Sequence, residues 1–292
     1  RVIFAEGEDE NMLKAAIEFG RNKLGTPILI GAEKRIKEQL KNIGLDENYK
    51  IEIVNSTDKE KREKYAKHLY KKLQREGQLE RDVDRLVRNE RIAWGASMIA
   101  CKDADAMVTG NIRHYAASIE KLKKVTEPRP GEEIFGMTMI TLKGKTILVA
   151  DTNVQDFPSP ERLVKVSKSC VRVARLFGFD PKVAFLSHST FGQPITSRTK
   201  HIRDAVEILK KMKVDFKFDG DMQPDVALSD EYSDLYPFSE IVGNANILIM
   251  PGQHSAAISY KIMKTIGGAK VIGPLLIGLA QPIEIAPLRS ST

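Results

Sequence analysis

Two strand–turn–helix units in succession open the chain, and nothing else in the sequence restricts its fold as much. RVIFAEGEDE is an apolar run ending in an acidic turn, and Met12, Leu13, Ala16, Ile17 and Phe19 then recur at helical spacing. TPILIGAEKRIKEQLKNIGL repeats the pattern. Pro27 to Ile30 reads as a buried strand, Gly31 breaks it, and Ile36, Leu40 and Ile43 line a second helix. Strands joined through helices lie parallel and need cover on both faces, so the class is α/β.

The alternation continues. After IEIVN a charged helical region runs to Arg91, Ile92 to Lys102 reads as a buried helix, and ADAMVTG as the next strand. At EPRPGEE, residues 127 to 133, two prolines and a glycine interrupt the chain, and two strand-like segments follow, GMTMITL and KTILVAD. Ser159 to Phe177 is helical, with Ser159 as cap and Pro160 in the first turn. KVAFLS, a helix from Thr199 to Met212, and ILIMP complete the pattern. Two α/β lobes are therefore expected, with parallel or mixed sheets flanked by helices: residues 1–126 with 273–292, and residues 127–272.

The longest apolar runs, Ile247 to Met250 and Val271 to Ile277, fall well short of the roughly 20 residues that cross a bilayer. Two cysteines, Cys101 and Cys170, form no disulfide ladder, which points to a reducing, cytoplasmic setting. Arg1 enters an apolar run directly, with no signal-peptide pattern, so the sequence reads as a piece of a longer chain. The net charge is +7, but the span from Lys50 to Arg91 mixes both signs at helical spacing and no nucleic-acid motif accompanies it. A small anionic ligand is the better expectation than nucleic acid.

In parallel sheets ligands gather beyond the carboxyl ends of strands, so the polar turns there are the candidate sites. They include Ala5 to Asp9, Thr109-Gly110-Asn111, Pro251 to His254, and Ser187 to Gly192, where three hydroxyls, a histidine and a glycine fall in six residues. These hydroxyls and the amides beside them suit phosphate oxygens, and also suit a capped turn. Asp219, Asp221 and Asp225 do not match a calcium loop, so no metal is expected. No dinucleotide fingerprint and no nucleophile elbow occur.

Taken in order, FAEGEDE (4–10), PILIG (27–31), ADAMVTG (104–110), VADTNV (149–154), FGFDPKVAFLSHSTFG (177–192), DGDMQPDVAL (219–228), GNANILIMP (243–251) and GPLLIG (273–278) resemble phosphotransacetylases over essentially the whole chain. The closer resemblance is to the phosphotransacetylase-like C-terminal domain of bacterial NADP-dependent malic enzymes. It implies a two-lobed fold related to isocitrate dehydrogenases, a cleft between lobes, coenzyme A thioesters as ligands, and dimers or higher oligomers. NADP and a divalent metal would belong to an N-terminal dehydrogenase part of the same chain.

The resemblance also marks departures. Where the transferases carry a reacting serine and arginine after GPxLxGL, this chain has Pro287 and Leu288, with Arg289 one residue late. Thr265 and Glu120 stand where the transferases have further arginines, Ala257 where they have asparagine, and Thr152 where many have cysteine. A charged phosphate contact is worth roughly 1.5 to 3 kcal/mol, so these losses argue against acetyl transfer and no catalytic residue is assigned. Acetyl-CoA binding is expected at Thr109, Asn111, Ser187, Ser189, Thr190 and Arg289, in a regulatory and oligomerising domain. An active phosphate acetyltransferase and an inert oligomerisation module are the alternatives.

Overall fold

A computed structural model describes residues 1–45 and 51–290. Lys50, at the head of the charged span, and residues 291–292 of the closing segment lie outside them. In chain order the elements are β1 (Val2–Phe4), α1 (Glu10–Arg21), β2 (Pro27–Ile30), α2 (Glu33–Asn42), β3 (Glu52–Val54), α3 (Lys59–Leu73), α4 (Glu80–Asn89), α5 (Arg91–Ala100), β4 (Ala106–Gly110) and α6 (Tyr115–Val125). Then come β5 (Phe135–Leu142), β6 (Lys145–Ala150), α7 (Pro160–Leu176), β7 (Lys182–Leu186), α8 (Ser197–Met212), β8 (Lys217–Met222), α9 (Pro224–Leu228), β9 (Ile247–Ile249), α10 (Gln253–Thr265), β10 (Lys270–Ile277) and β11 (Ile283–Ala286).

The chain divides into two compact units, Arg1–Glu127 with the chain from Leu279 onward, and Pro128–Gly278. Each is built on one sheet. In the first unit the order is β11-β4-β1-β2-β3, all parallel. The strands run outward from β1 through β2 to β3, and the chain then crosses to β4 on the other side. The order therefore reverses between β1 and β4, the place where an open parallel sheet leaves a crevice beyond its strand ends. Fully buried Leu29 packs with Leu13 and Ile36 from the helices in the core of this unit. Tyr65 and Trp94, also fully buried, meet edge to face at 5.0 Å.

The second sheet runs β10-β5-β6-β9-β7-β8 and is mixed: β10, β5 and β6 are antiparallel neighbours, and β6, β9, β7 and β8 are parallel. Phe185, Ile247 and Ile249 pack against Leu163, Cys170 and Ala174 of α7 and Ile202 and Leu209 of α8. Burying each large apolar side chain contributes about 1.5 to 3 kcal/mol. β9 inserts between β6 and β7, so the turns after three neighbouring parallel strands open at one end of the sheet.

One expectation is corrected. The segment from Gly273 to Gly278 does not return to the first lobe, because β10 pairs with β5 from Lys270↔Thr141 to Ile277↔Phe135 and so belongs to the second unit. Only the chain from Leu279 returns, to place β11 beside β4. Among the described residues no helix is long and apolar enough to cross a membrane.

Candidate functional site

Two polar constellations occupy the strand ends, one in each unit, and each holds three of the expected ligand contacts.

In the first unit, Glu6 follows β1 and Thr109 ends β4, across the point where the strand order reverses. Thr109 Oγ1 donates to Glu6 Oε1 at 2.9 Å and the Gly110 amide to Glu6 Oε2 at 3.2 Å. Glu6 is 3% exposed. Burial pushes its carboxyl up to about 7, with the Thr109 hydroxyl, the charges of Arg91 and Arg113 and the Gly110 amide opposing. Asp9 caps α1 by accepting from the Met12 amide at 3.0 Å, and the same oxygen accepts from Asn111 Nδ2 at 2.6 Å.

The closing turn is tied to this cluster. The Asn111 amide donates to the Ala286 carbonyl at 3.2 Å, and the Arg289 amide donates to the Asn111 carbonyl at 2.9 Å. Asn11 Nδ2 donates to the Ser290 carbonyl at 3.2 Å. Thr109, Asn111 and Arg289 therefore come together, although Thr109 turns its hydroxyl inward to Glu6. Asn111 Oδ1 is buried without a partner, and Arg289 is exposed. Nearby cations are matched by carboxylates: Arg91 lies 3.1 Å from Glu8, and Arg113 and Lys121 lie 3.0 and 2.7 Å from Glu90.

In the second unit, Ser187, Ser189 and Thr190 follow β7. Ser189 donates to Asp221 Oδ2, and both residues are fully buried. Arg203 Nε lies 3.9 Å from the other Asp221 oxygen. Thr190 Oγ1 accepts from the Gln223 amide at 3.2 Å, and Gln223 Nε2 donates to the His188 carbonyl at 3.2 Å. Ser189 and Thr190 therefore hold the loop to β8. Ser187 and His188 are the members that reach open space.

That space is a cavity of about 870 Å³ at the ends of β6, β7 and β9. Leu186, Ile202, Met250 and Pro251 give it an apolar wall, and Ser187, Ser255 and Ser259 supply hydroxyls. His188, Arg198, His201 and His254 also line it, and Asp156 is the carboxylate among its lining residues. Local sequence explains the placement. Thr196 and Thr199 form a reciprocal cap, Thr199 N to Thr196 Oγ1 at 3.2 Å and Thr196 N to Thr199 Oγ1 at 2.8 Å, which starts α8 so that Arg198 and His201 fall in its first turns.

Gly252 lets the start of α10 approach the 155–156 loop, because a Cβ there would lie 2.0 Å from the Asp156 carbonyl. That approach carries His254 to the cavity. The loop is anchored in turn by Asp151, whose Oδ1 accepts from the amides of Gly136, Asn153 and Val154 at 2.9, 3.0 and 3.1 Å. Burial pushes the Asp151 carboxyl up, against those three amides.

Sequence reasoning singled out His188 and the turn carrying His254, and missed Arg198 and His201. The available signal was the Thr196 cap, which starts a helix directly after a hydroxyl-rich strand end. Of the three aspartates read against a metal loop, Asp221 faces Ser189, Asp219 accepts from the Gly220 amide at 2.9 Å, and Asp225 accepts from the Tyr232 hydroxyl at 2.9 Å. Among the described residues no group of three or more His, Cys, Asp or Glu is arranged to hold a metal ion.

The family profile described as Phosphate acetyl/butaryl transferase matches residues 1–290. The chain belongs to that family. It is 42% identical to the NADP-dependent malic enzyme of Rhizobium meliloti over 289 residues, which are 99% of this chain and 38% of that protein. It is 32% identical to the phosphate acetyltransferase of Clostridium acetobutylicum, covering 97% of this chain and 87% of that enzyme. A solved phosphotransacetylase from Streptococcus pyogenes superposes with a TM-score of 0.91 at 27% identity, covering 99% of this chain and 88% of that one. The chain thus corresponds to the phosphotransacetylase-like part of malic enzymes and spans less than two fifths of the first of them.

Proposed function

We propose that this chain is a non-transferase, acetyl-CoA-binding domain of an NADP-dependent malic enzyme. It follows an N-terminal part that oxidatively decarboxylates malate to pyruvate with NADP and a divalent metal, in a cytoplasmic homo-oligomer. The observation that carries the reading is the closing turn. At the positions where the resemblance places the transferases' reacting serine and arginine, Pro287 and Leu288 offer neither hydroxyl nor guanidinium, while the turn stays tied to Asn111 through the Arg289 amide.

Scaffold and chemistry separate here. Acetyl exchange needs a base for the thiol and cations for the phosphoryl charge. A thioester ligand needs an apolar wall and a few convergent polar groups, which the cavity of the second unit supplies. Regulation then requires that the ligand prefer one state of the assembly, with reciprocal coupling to the dehydrogenase part. Oligomerisation is supported by the exposed isoleucines 258, 262 and 266 along α10 and its C-terminal cap, a stripe unusual for a free surface.

A second reading, an active phosphate acetyltransferase, draws on the likeness to the clostridial enzyme over most of its length. Incubating the chain with acetyl phosphate and coenzyme A decides between them. No acetyl-CoA formation above the uncatalysed rate is expected, and steady turnover would establish the transferase. The inert oligomerisation module predicts neither turnover nor ligand binding.

A further inference from the structure

Three of the five histidines of the chain, His188, His201 and His254, line the same cavity of the second unit, together with Arg198. They arrive on three separate elements: the turn after β7, the first turns of α8, and the first turn of α10. Imidazole is the side chain whose ordinary charge change falls between pH 5 and 8, and Arg198 is cationic throughout. We propose that this cavity binds the phosphorylated portion of its ligand in a proton-linked way, the guanidinium and the three imidazoles receiving the phosphate, so that binding tightens as pH falls from 8 to 6. The proposal rests on the reading of this cavity as the ligand site, and adds to it the part of the ligand held there and its regulation by protons.

The surroundings favour an anion. Asp156 is the carboxylate among the lining residues, and its side chain is engaged by Gln253 Nε2. On α8, Lys200 pairs with Asp204 at 3.1 Å and Arg203 faces Asp221. From α7, Glu161 is exposed at the helix start, beside its cap Ser159. From α9, Asp225 accepts from Tyr232. His201 Nε2 contacts the Pro158 carbonyl, an acceptor, which fixes the ring's orientation beside the cavity. The Phe157 ring stacks on His201 at 4.7 Å with 21° between planes, offering a flat apolar face beside the cations. A volume of about 870 Å³ accommodates a nucleotide-sized ligand.

The direction of the effect is diagnostic. A phosphate monoester gains negative charge as pH rises through about 6, so its own titration would tighten binding at high pH. Weaker binding at pH 8 must then come from the protein.

The test is calorimetric titration with a nucleoside 3′,5′-bisphosphate at pH 6, 7 and 8, with inorganic sulfate, whose charge is constant over that range, as the second probe. A charged contact corresponds to on the order of tenfold in affinity, so Kd should rise at least about tenfold from pH 6 to pH 8 for both probes. His188→Asn and His254→Asn, both at exposed positions, should each flatten the profile, and Arg198→Ala should weaken binding at every pH. A flat wild-type profile, or a slope unchanged in both histidine variants, would overturn the proposal. Acetyl-CoA binding with a flat profile would sink this inference and leave the proposed function standing. Proton-linked bisphosphate binding without acetyl-CoA binding would do the reverse.

Discussion

Thr109 Oγ1 donates to Glu6 Oε1 at 2.9 Å, joining the ends of β4 and β1 where the strand order of the first sheet reverses. Burial raises the Glu6 carboxyl from an ordinary 4.5 to about 7, so between those values the folded chain holds a proton that the unfolded chain has released. The stability this proton contributes is complete below about pH 4.5 and is lost as pH rises through 7. Glu6→Gln keeps an acceptor for Thr109 and removes the charge. Denaturant unfolding should show the variant equal to wild type near pH 5 and more stable at pH 8, by at most about 3 kcal/mol. A pH-independent difference would contradict the assignment.

Gly110 has φ of 110°, and a Cβ there would lie 2.2 Å from the Ala286 carbonyl to which it is paired. Gly110→Ala therefore strains the backbone and pushes β11 from β4 at once. A loss of about 2 kcal/mol or more is expected, read as a lower melting temperature.

Asp221 and Ser189 are both fully buried, and the carboxylate also faces Arg203. Asp221→Ala removes the acceptor that faces Ser189 and Arg203, and Ser189→Ala leaves a buried carboxylate oxygen without its donor, so each should destabilise by about 1 to 3 kcal/mol. Chemical denaturation measures both. Equal and negligible losses would mean the pair does not hold the loop.

The parts of this fold that could be read from sequence are those set by neighbours along the chain. Pro27 to Ile30 is a strand because four apolar residues end at Gly31, and Ser159 starts α7 because its hydroxyl accepts the Arg162 amide, 3.2 Å away in space and three residues along the chain. Long-range partners leave no such trace. GPLLIG is apolar enough for either sheet, and only its pairing with β5 assigns it to the second. Ser189 reads as a ligand-facing hydroxyl until Asp221, 32 residues on, accepts its hydrogen bond. The cavity histidines come from three turns whose convergence depends on β9 inserting between β6 and β7.

Ile258 and Ile262 lie one turn apart on α10, 49% and 52% exposed, and Ile266, just past the helix, is 83% exposed. If this stripe meets a second copy, Ile262→Glu should move the chain toward monomer in sedimentation velocity at micromolar concentration, with its melting curve retained. An unchanged sedimentation coefficient would place the interface elsewhere.

A chain without the transferase serine and arginine should still bind the thioester. Calorimetric titration with acetyl-CoA should give saturable binding to the second-unit cavity, weakened by Arg198→Ala and accompanied by no acetyl transfer. Absence of heat and of any thermal shift at millimolar acetyl-CoA would contradict it.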